Sequence, residues 1–286
     1  MFRTLTRDVH IHCPDRHTAD QLAFIGCDAE IAGQRERVDM RVETHHGFLR
    51  LSKPGGVCVE GSAGVVLDEL YRLRFEMVRA ECRGGGLLVA AGTVTAAVGH
   101  IVFVGGEPVV MSALLIHLAA QGWPVTGDAL LIVEGSAARP FPGSLRVGLS
   151  ALGRLPEHTA EIVRTSPRIP GWFDQPTFAV QPSAFGNPCR IRAAPMRHVV
   201  VLEDNHGGRS RMQRLARSLA VEEMFQNLLL PAEGRARSLA EFMGLMAHAD
   251  CWHLTVGLLD DAGRLLQGLP DIDQDDAFSG VRHVER

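Results

Sequence analysis

His100-Ile101-Val102-Phe103-Val104, then Gly105-Gly106-Glu107-Pro108, then Val109-Val110-Met111-Ser112-Ala113-Leu114-Leu115-Ile116-His117-Leu118-Ala119-Ala120-Gln121 is the stretch on which the fold turns. Its first five residues form a β-rich apolar run of the kind buried on both faces of a sheet. The glycines permit a sharp turn, and the apolar run over residues 109–121 predicts a helix that Gly122-Trp123-Pro124 breaks. Val125 and residues 130–134 read as one further buried strand. Strand, glycine turn, helix and strand make a βαβ unit, and such units bind ligands at the carboxyl ends of their strands. Gly105 stands at that position.

On the N-terminal side, residues 87–91 read as another buried strand, entered through Gly84-Gly85-Gly86. Before the glycines, Val66, Leu67, Leu70, Leu73, Phe75 and Val78 recur at helical spacing, which predicts an amphipathic helix over residues 65–81. Residues 4–13 alternate as a half-buried strand does, with Val9 and Ile11 on one face and His10 and His12 on the other. A short helix over residues 19–25 and strands over 37–43 and 47–51, with a turn at residues 53–56, complete a small α+β module.

On the C-terminal side, residues 135–195 are rich in Pro, Gly and Arg and read as ordered loop. Residues 198–202 predict a strand and 204–208 a turn. Residues 209–230 and 236–248 predict helices, 253–256 a short strand and 260–266 a last helix. The chain divides at the glycines: a module over 1–83, an α/β core over 84–269, and an acidic tail over 270–286 expected to be disordered.

The glycine turn invites comparison with the phosphate-binding pattern G-x-x-x-x-G-K-[ST]. There the glycines let backbone N–H groups converge on the phosphate, the Lys reaches the outer oxygens, and the hydroxyl holds Mg²⁺. In Gly105-Gly106-Glu107-Pro108-Val109-Val110-Met111-Ser112 only Gly105 and Ser112 match. Pro108 removes an N–H donor. Val110 replaces the second glycine and resists positive φ. Glu107 adds negative charge, and Met111 offers none of the positive charge of Lys. Ser112, early in its helix, also suits a capping role.

Residues 100–131 together resemble the HPr kinase-like family of serine kinases. Its members read as a strand, G-P-S-G-A-G-K-S, a helix of the type TLALALAARG, and then PVLSDDLLLL. Arg139-Pro140-Phe141-Pro142, residues 200–208 and residues 251–257 are similar to later family segments, so the resemblance runs from about residue 87 to 267. It implies an HPr kinase-like P-loop core with a mixed sheet and flanking helices behind the small N-terminal module. It implies vestigial nucleotide-binding positions at Gly105, Gly106 and Ser112, and a catalytic role for Asp128. The family carries an Asp pair there, whereas Gly127-Asp128-Ala129 keeps one carboxylate. A histidine common before the loop is also missing from residues 88–94. Losing lysine, second glycine, second aspartate and histidine together removes the positioning and charge neutralisation on which phosphoryl transfer depends.

The expected function is therefore a non-catalytic binding or scaffold subunit in a bacterial pathway of the peptide-modification type. It needs no cofactor and recognises a protein or peptide partner, as a homo-oligomer or a hetero-complex subunit. The alternative is an ATP- and Mg²⁺-dependent kinase of a protein or peptide serine, using Asp128, Ser112 and an arginine such as Arg83 or Arg139 in place of lysine.

Composition narrows the classes further. The 286 residues are 46% hydrophobic and 22% charged, with a net charge of −4, so neither disorder nor a nucleic-acid partner is indicated. No run of about 18 apolar residues occurs, so no membrane span is expected. The N-terminus lacks an apolar signal region, and the expected location is cytoplasmic. Lys53 is the sole lysine, so no second one substitutes for Met111. The cysteines (Cys13, Cys27, Cys58, Cys82, Cys189, Cys251) stand singly and read as reduced, mostly buried thiols. His10 and His12, with His17, His45 or His46, are candidate metal ligands, against a solvated strand face. Arg209, Arg211, Arg214 and Arg217 read as one face of a helix, suited to an acidic peptide or a phosphate or simply solvated.

Overall fold

The computed structural model describes residues 1–26, 30–31, 34–81, 87–89, 91–127, 130–141, 143–172, 175–186, 190–229 and 235–270. The glycines 84–86 and the acidic tail from residue 271 lie outside them. What is described is a mixed α/β chain built on several sheets.

The first 81 residues build β1 (Phe2–Arg3), β2 (Arg7–His12), α1 (Arg16–Leu22), β3 (Glu30–Ile31), β4 (Glu36–His45), β5 (Phe48–Lys53), β6 (Gly56–Gly61) and α2 (Ala63–Glu81). The sheet order is β1-β2-β4-β5-β6, with β2 and β4 parallel and the rest antiparallel. The strand β6 was not expected, because it follows the Pro54-Gly55 turn without clear alternation. Asp15 caps α1, its Oδ1 accepting from Thr18 N at 2.8 Å. The apolar face of α2 covers the sheet with Val66, Leu67, Leu70, Leu73 and Val78 buried, as its periodicity predicts.

The central region runs through β7 (Leu87–Val89), β8 (Gly92–Ala96), β9 (Gly99–Val104), α3 (Pro108–Ala120), β10 (Val125–Gly127), β11 (Leu131–Glu134) and β12 (Ala137–Pro140). Residues 135–195 are not the loop that their composition suggests. They form β12 and then β13 (Leu145–Gly148), α4 (Leu149–Leu152), α5 (Glu157–Arg164), β14 (Arg168–Trp172), β15 (Gln175–Val180) and β16 (Arg190–Ile191). The prolines and glycines fall mainly at strand ends and turns, while Thr159, Ala160 and Val163 give α5 a buried face.

The last part holds β17 (Met196–Asp204), β18 (Arg211–Arg214), α6 (Arg217–Gln226), β19 (Leu228–Leu229), α7 (Arg235–His248), β20 (Asp250–Val256) and α8 (Leu259–Gln267). Here the sequence reading of one long helix from residue 209 is corrected. Arg211–Arg214 is a strand paired antiparallel with β20, and the helix starts only at Arg217. The four arginines therefore share no helical face.

The main sheet has the order β10-β8-β9-β17-β20-β18, with β9, β17 and β20 parallel. The unit β9–α3–β10 is a crossover, but β8 lies between its two strands and pairs antiparallel with both. Residues 125 and 130–134 are not one strand: β11 belongs to a second sheet, β12-β11-β7-β19. Ile101 and Phe103 of β9 face the core that contains α3, α5 and α8, and Val102 and Val104 face the core that contains α6 and α7. Such a strand, fully buried on both faces, accounts for the uninterrupted apolar run. Nine of the thirteen residues of α3 are buried, so it is a helix of the interior.

The N-terminal module packs directly on the rest. Ile132 and Phe141 share a cluster with Leu5 and Val78, and Ala179 belongs to the module's own core. Arg74 of α2 is 1% exposed, with its guanidinium 4.8 Å from the Phe141 ring centroid and Nη1 donating to Ile25 O at 3.4 Å. No helix among the described residues is long and apolar enough to cross a membrane.

Candidate functional site

The loop of residues 105–107 leaves the carboxyl end of β9 and enters α3, beside the carboxyl ends of β17 and β20. Gly105 and Gly106 both take positive φ, +71° and +69°, so this turn needs glycine at two successive positions. Glu107 is the N-cap and Pro108 opens the helix. A carboxylate at that end suits the helix dipole.

Three amides would normally point out of the first helical turn toward an anion. Pro108 has none, and Val110 N donates to Glu107 O at 2.9 Å, which leaves the amide of Val109. Both glycines are also crowded on the side where a side chain would project, although Gly106 and Glu107 are exposed. A Cβ on Gly105 would come within 2.8 Å of Glu223 Oε1, and one on Gly106 within 3.1 Å of Leu202 Cβ and O. Glu223 reaches the loop from α6, on one side of the sheet, whereas Leu202 belongs to β17 underneath it. The turn has two successive positive φ values, and where its side chains would project it meets the Glu223 carboxylate and Leu202.

The other expected positions follow the same pattern. Val110 is fully buried in the α3 core. Met111 does not face the loop: a Cβ on Gly92 of β8 would lie 3.3 Å from Met111 Sδ. Ser112 is buried and its Oγ donates to Val109 O at 3.3 Å, so the hydroxyl is turned back on its own helix. Gly105 and Gly106 thus meet at the loop, and Ser112 does not open onto it. Asp128 lies outside the described residues, as does Arg83. Arg139 is in β12, opposite Ile132 in the second sheet, and Lys53 ends β5 in the N-terminal sheet.

Sequence reasoning missed the charged group beside the loop. Asp204 ends β17, two residues past Leu202, and its side chain is only 7% exposed. Arg154, just after α4, holds it with two nitrogens: Nη1 donates to Oδ1 at 2.9 Å and Nη2 to Oδ2. His206 N also donates to Oδ1 at 2.9 Å. The guanidinium first, and then the backbone N–H, hold this carboxyl below the usual aspartate range despite burial. In P-loop enzymes a carboxylate after a buried strand binds Mg²⁺. Here the carboxylate at the end of β17 is bound by an arginine. The signal was in the sequence, since Val199-Val200-Val201-Leu202 runs straight into Glu203-Asp204. Glu223 gave none, because its position depends on the helix starting at Arg217.

A second polar group lies at the opposite end of β9. His100 is fully buried, with Nδ1 3.0 Å from Thr95 Oγ1 and Nε2 3.0 Å from Ala138 O. The carbonyl fixes the proton on Nε2, so Thr95 donates to Nδ1 and accepts from Thr126 Oγ1 at 2.8 Å. Thr126 thereby links β10 to β8. Burial pushes the His100 imidazole down to about 4, so it is neutral in the fold. Nothing in this group faces the loop; it joins strands.

His10 and His12 lie on β2, and His12 Nε2 is 2.8 Å from Asp39 Oδ1 on β4, which Arg37 also holds. Among the described residues, no three His, Cys, Asp or Glu side chains are grouped closely enough to hold a metal ion. Cys13 and Cys58 are half-buried and Cys251 buried, all three free of disulfides; Cys27, Cys82 and Cys189 lie outside the described residues. No family model matches the chain, and no curated protein matches it.

Proposed function

We propose that this chain is a degenerate HPr kinase-like protein that has given up nucleotide and works as a non-catalytic binding or scaffold subunit. The peptide-modification type of bacterial pathway is part of the same proposal and rests on the resemblance in sequence. The observation that supports it is the crowding and charge of the loop. Glu223 lies against Gly105, Leu202 fills the space at Gly106, and Glu107 stands at the helix entrance. Two carboxylates would face an incoming triphosphate, and no lysine is near in sequence to offset them. Asp204, the carboxylate that ends the neighbouring buried strand, is paired with Arg154.

The catalytic reading draws on Asp128, Ser112 and an arginine such as Arg83 or Arg139; Ser112 is bonded to Val109 O and Arg139 sits in another sheet, while Asp128 and Arg83 lie outside the described residues.

Titration calorimetry of the full chain with Mg-ATP tests the proposal, with a thermal-shift scan alongside. The expected result is no saturable heat and no rise in Tm at millimolar nucleotide. Saturable micromolar binding, with the stabilisation that mass action demands, overturns the proposal.

A further inference from the structure

We infer that the open edge of β18 is the docking site for a partner, and that the partner supplies an extended acidic segment which adds as a strand. This rests on the binding-subunit reading and names its partner class. β18 is the last strand of the main sheet, paired only with β20 among the described residues. Leu215 N donates to Cys251 O at 3.0 Å, and antiparallel pairs alternate. The backbone groups of Gln213 and Arg211 therefore face β20, while those of Met212 and Arg214 point outward. The edge offers a short ladder of unpaired N–H and C=O groups.

Its side chains set the sign of the partner. Arg209, Arg211 and Arg214 are all exposed. Arg214 alone of the three has an ion pair among the described residues, with Asp250 at 2.7 Å. Its guanidinium also lies 4.0 Å from the Trp252 ring centroid, which holds it flat against the sheet. Trp252 is fixed in turn, Nε1 donating to His198 Nδ1 at 3.3 Å. Arg211 and the anchored Arg214 project from opposite faces of the strand, and Arg209 precedes it, so the unpaired Arg211 and Arg209 are the charges a partner meets. Arginines on an edge discourage non-specific strand pairing. The same charges favour a strand whose carboxylates meet them, with main-chain bonds giving affinity and charge giving selection.

The test uses the full chain and a fluorescent ten-residue peptide of alternating Asp and Val, followed by anisotropy. Saturable binding is expected, with a loss of about tenfold or more in Arg209→Glu/Arg211→Glu. Met212→Pro, which removes an outward N–H, is expected to weaken binding similarly. If that variant does not fold, the same peptide N-methylated at alternate residues makes the same cut on unaltered protein. Equal binding of the methylated peptide, or of an Asp-rich peptide stapled as a helix, overturns strand addition. So does an absence of binding. Changing Asp271, Asp273, Asp275 and Asp276 to Asn is expected to leave the affinity unchanged. A gain of tenfold or more there identifies the chain's own acidic segment as the occupant and overturns the partner reading. ATP calorimetry reads out separately, so failure here does not count for or against nucleotide loss.

Discussion

Glu223 Oε1 lies 2.8 Å from where a methyl group on Gly105 would have to be. The two residues are far apart in sequence and come from different layers, and their contact closes the turn between β9 and α3. Gly105→Ala should therefore destabilise the chain by about 1–3 kcal/mol, from the positive φ and the clash together. Adding Glu223→Ala should return only the clash part. A double-mutant cycle from urea unfolding checks this: a coupling of about 0.5 kcal/mol or more is expected, and additive changes contradict the contact.

Met111 stands in the lysine position but its sulfur faces Gly92. Met111→Lys should not restore nucleotide binding. It should destabilise the fold by about 2 kcal/mol or more, since an ammonium would lie against β8 without a partner. Chemical denaturation and ATP calorimetry on the same sample separate the two readouts. A stable variant that binds ATP contradicts the placement of this side chain.

Arg154 and Asp204 are a two-pronged pair with the carboxylate nearly buried. Arg154→Ala should cost about 3 kcal/mol, because it strands that charge. Arg154→Ala/Asp204→Asn should be more stable than the single variant. The aspartate is held below its usual range by the guanidinium, so its contribution is full above pH 4 and fades as pH falls through the lowered value. A variant lacking Arg154 should lose that acid-side slope.

His100 gives the opposite end of β9 its own pH signature. Its imidazole is pushed down to about 4 by burial, against an ordinary value of 6.5. Below 6.5 the unfolded chain takes up a proton that the folded chain refuses, so stability falls as pH drops from 6.5 to about 4. The loss attributable to this group is roughly 3 kcal/mol. Denaturation midpoints across that window should fall less steeply in His100→Gln. An unchanged slope removes His100 as the cause.

The elements that the sequence announced are those whose burial is written in a simple period. The α2 stripe and the unbroken run of β9 and α3 are of this kind, because one or both faces must be apolar throughout. What stayed hidden depends on pairing across the sheet. β18 carries Arg211, Met212, Gln213 and Arg214, and nothing in that tetrad demands a strand; β20 supplies the demand. Residues 135–195 read as loop because of their prolines, yet Pro170 and Pro176 lie within the short strands β14 and β15, whose pairing with β13 and with each other is not written in composition. At the site, the departures from the phosphate-binding pattern were legible residue by residue. Who fills the turn was not, since Glu223 and Leu202 arrive by tertiary packing.

Arg74 has a consequence for how the molecule comes apart. Its guanidinium lies on Phe141, and Leu5 and Val78 pack with Ile132 and Phe141, so unravelling either the first 81 residues or the remainder strips apolar cover from the other. Two sheets that look separable on paper should therefore melt in one calorimetric transition. A gene cut between them should yield two insoluble halves, and co-expression of both should rescue them.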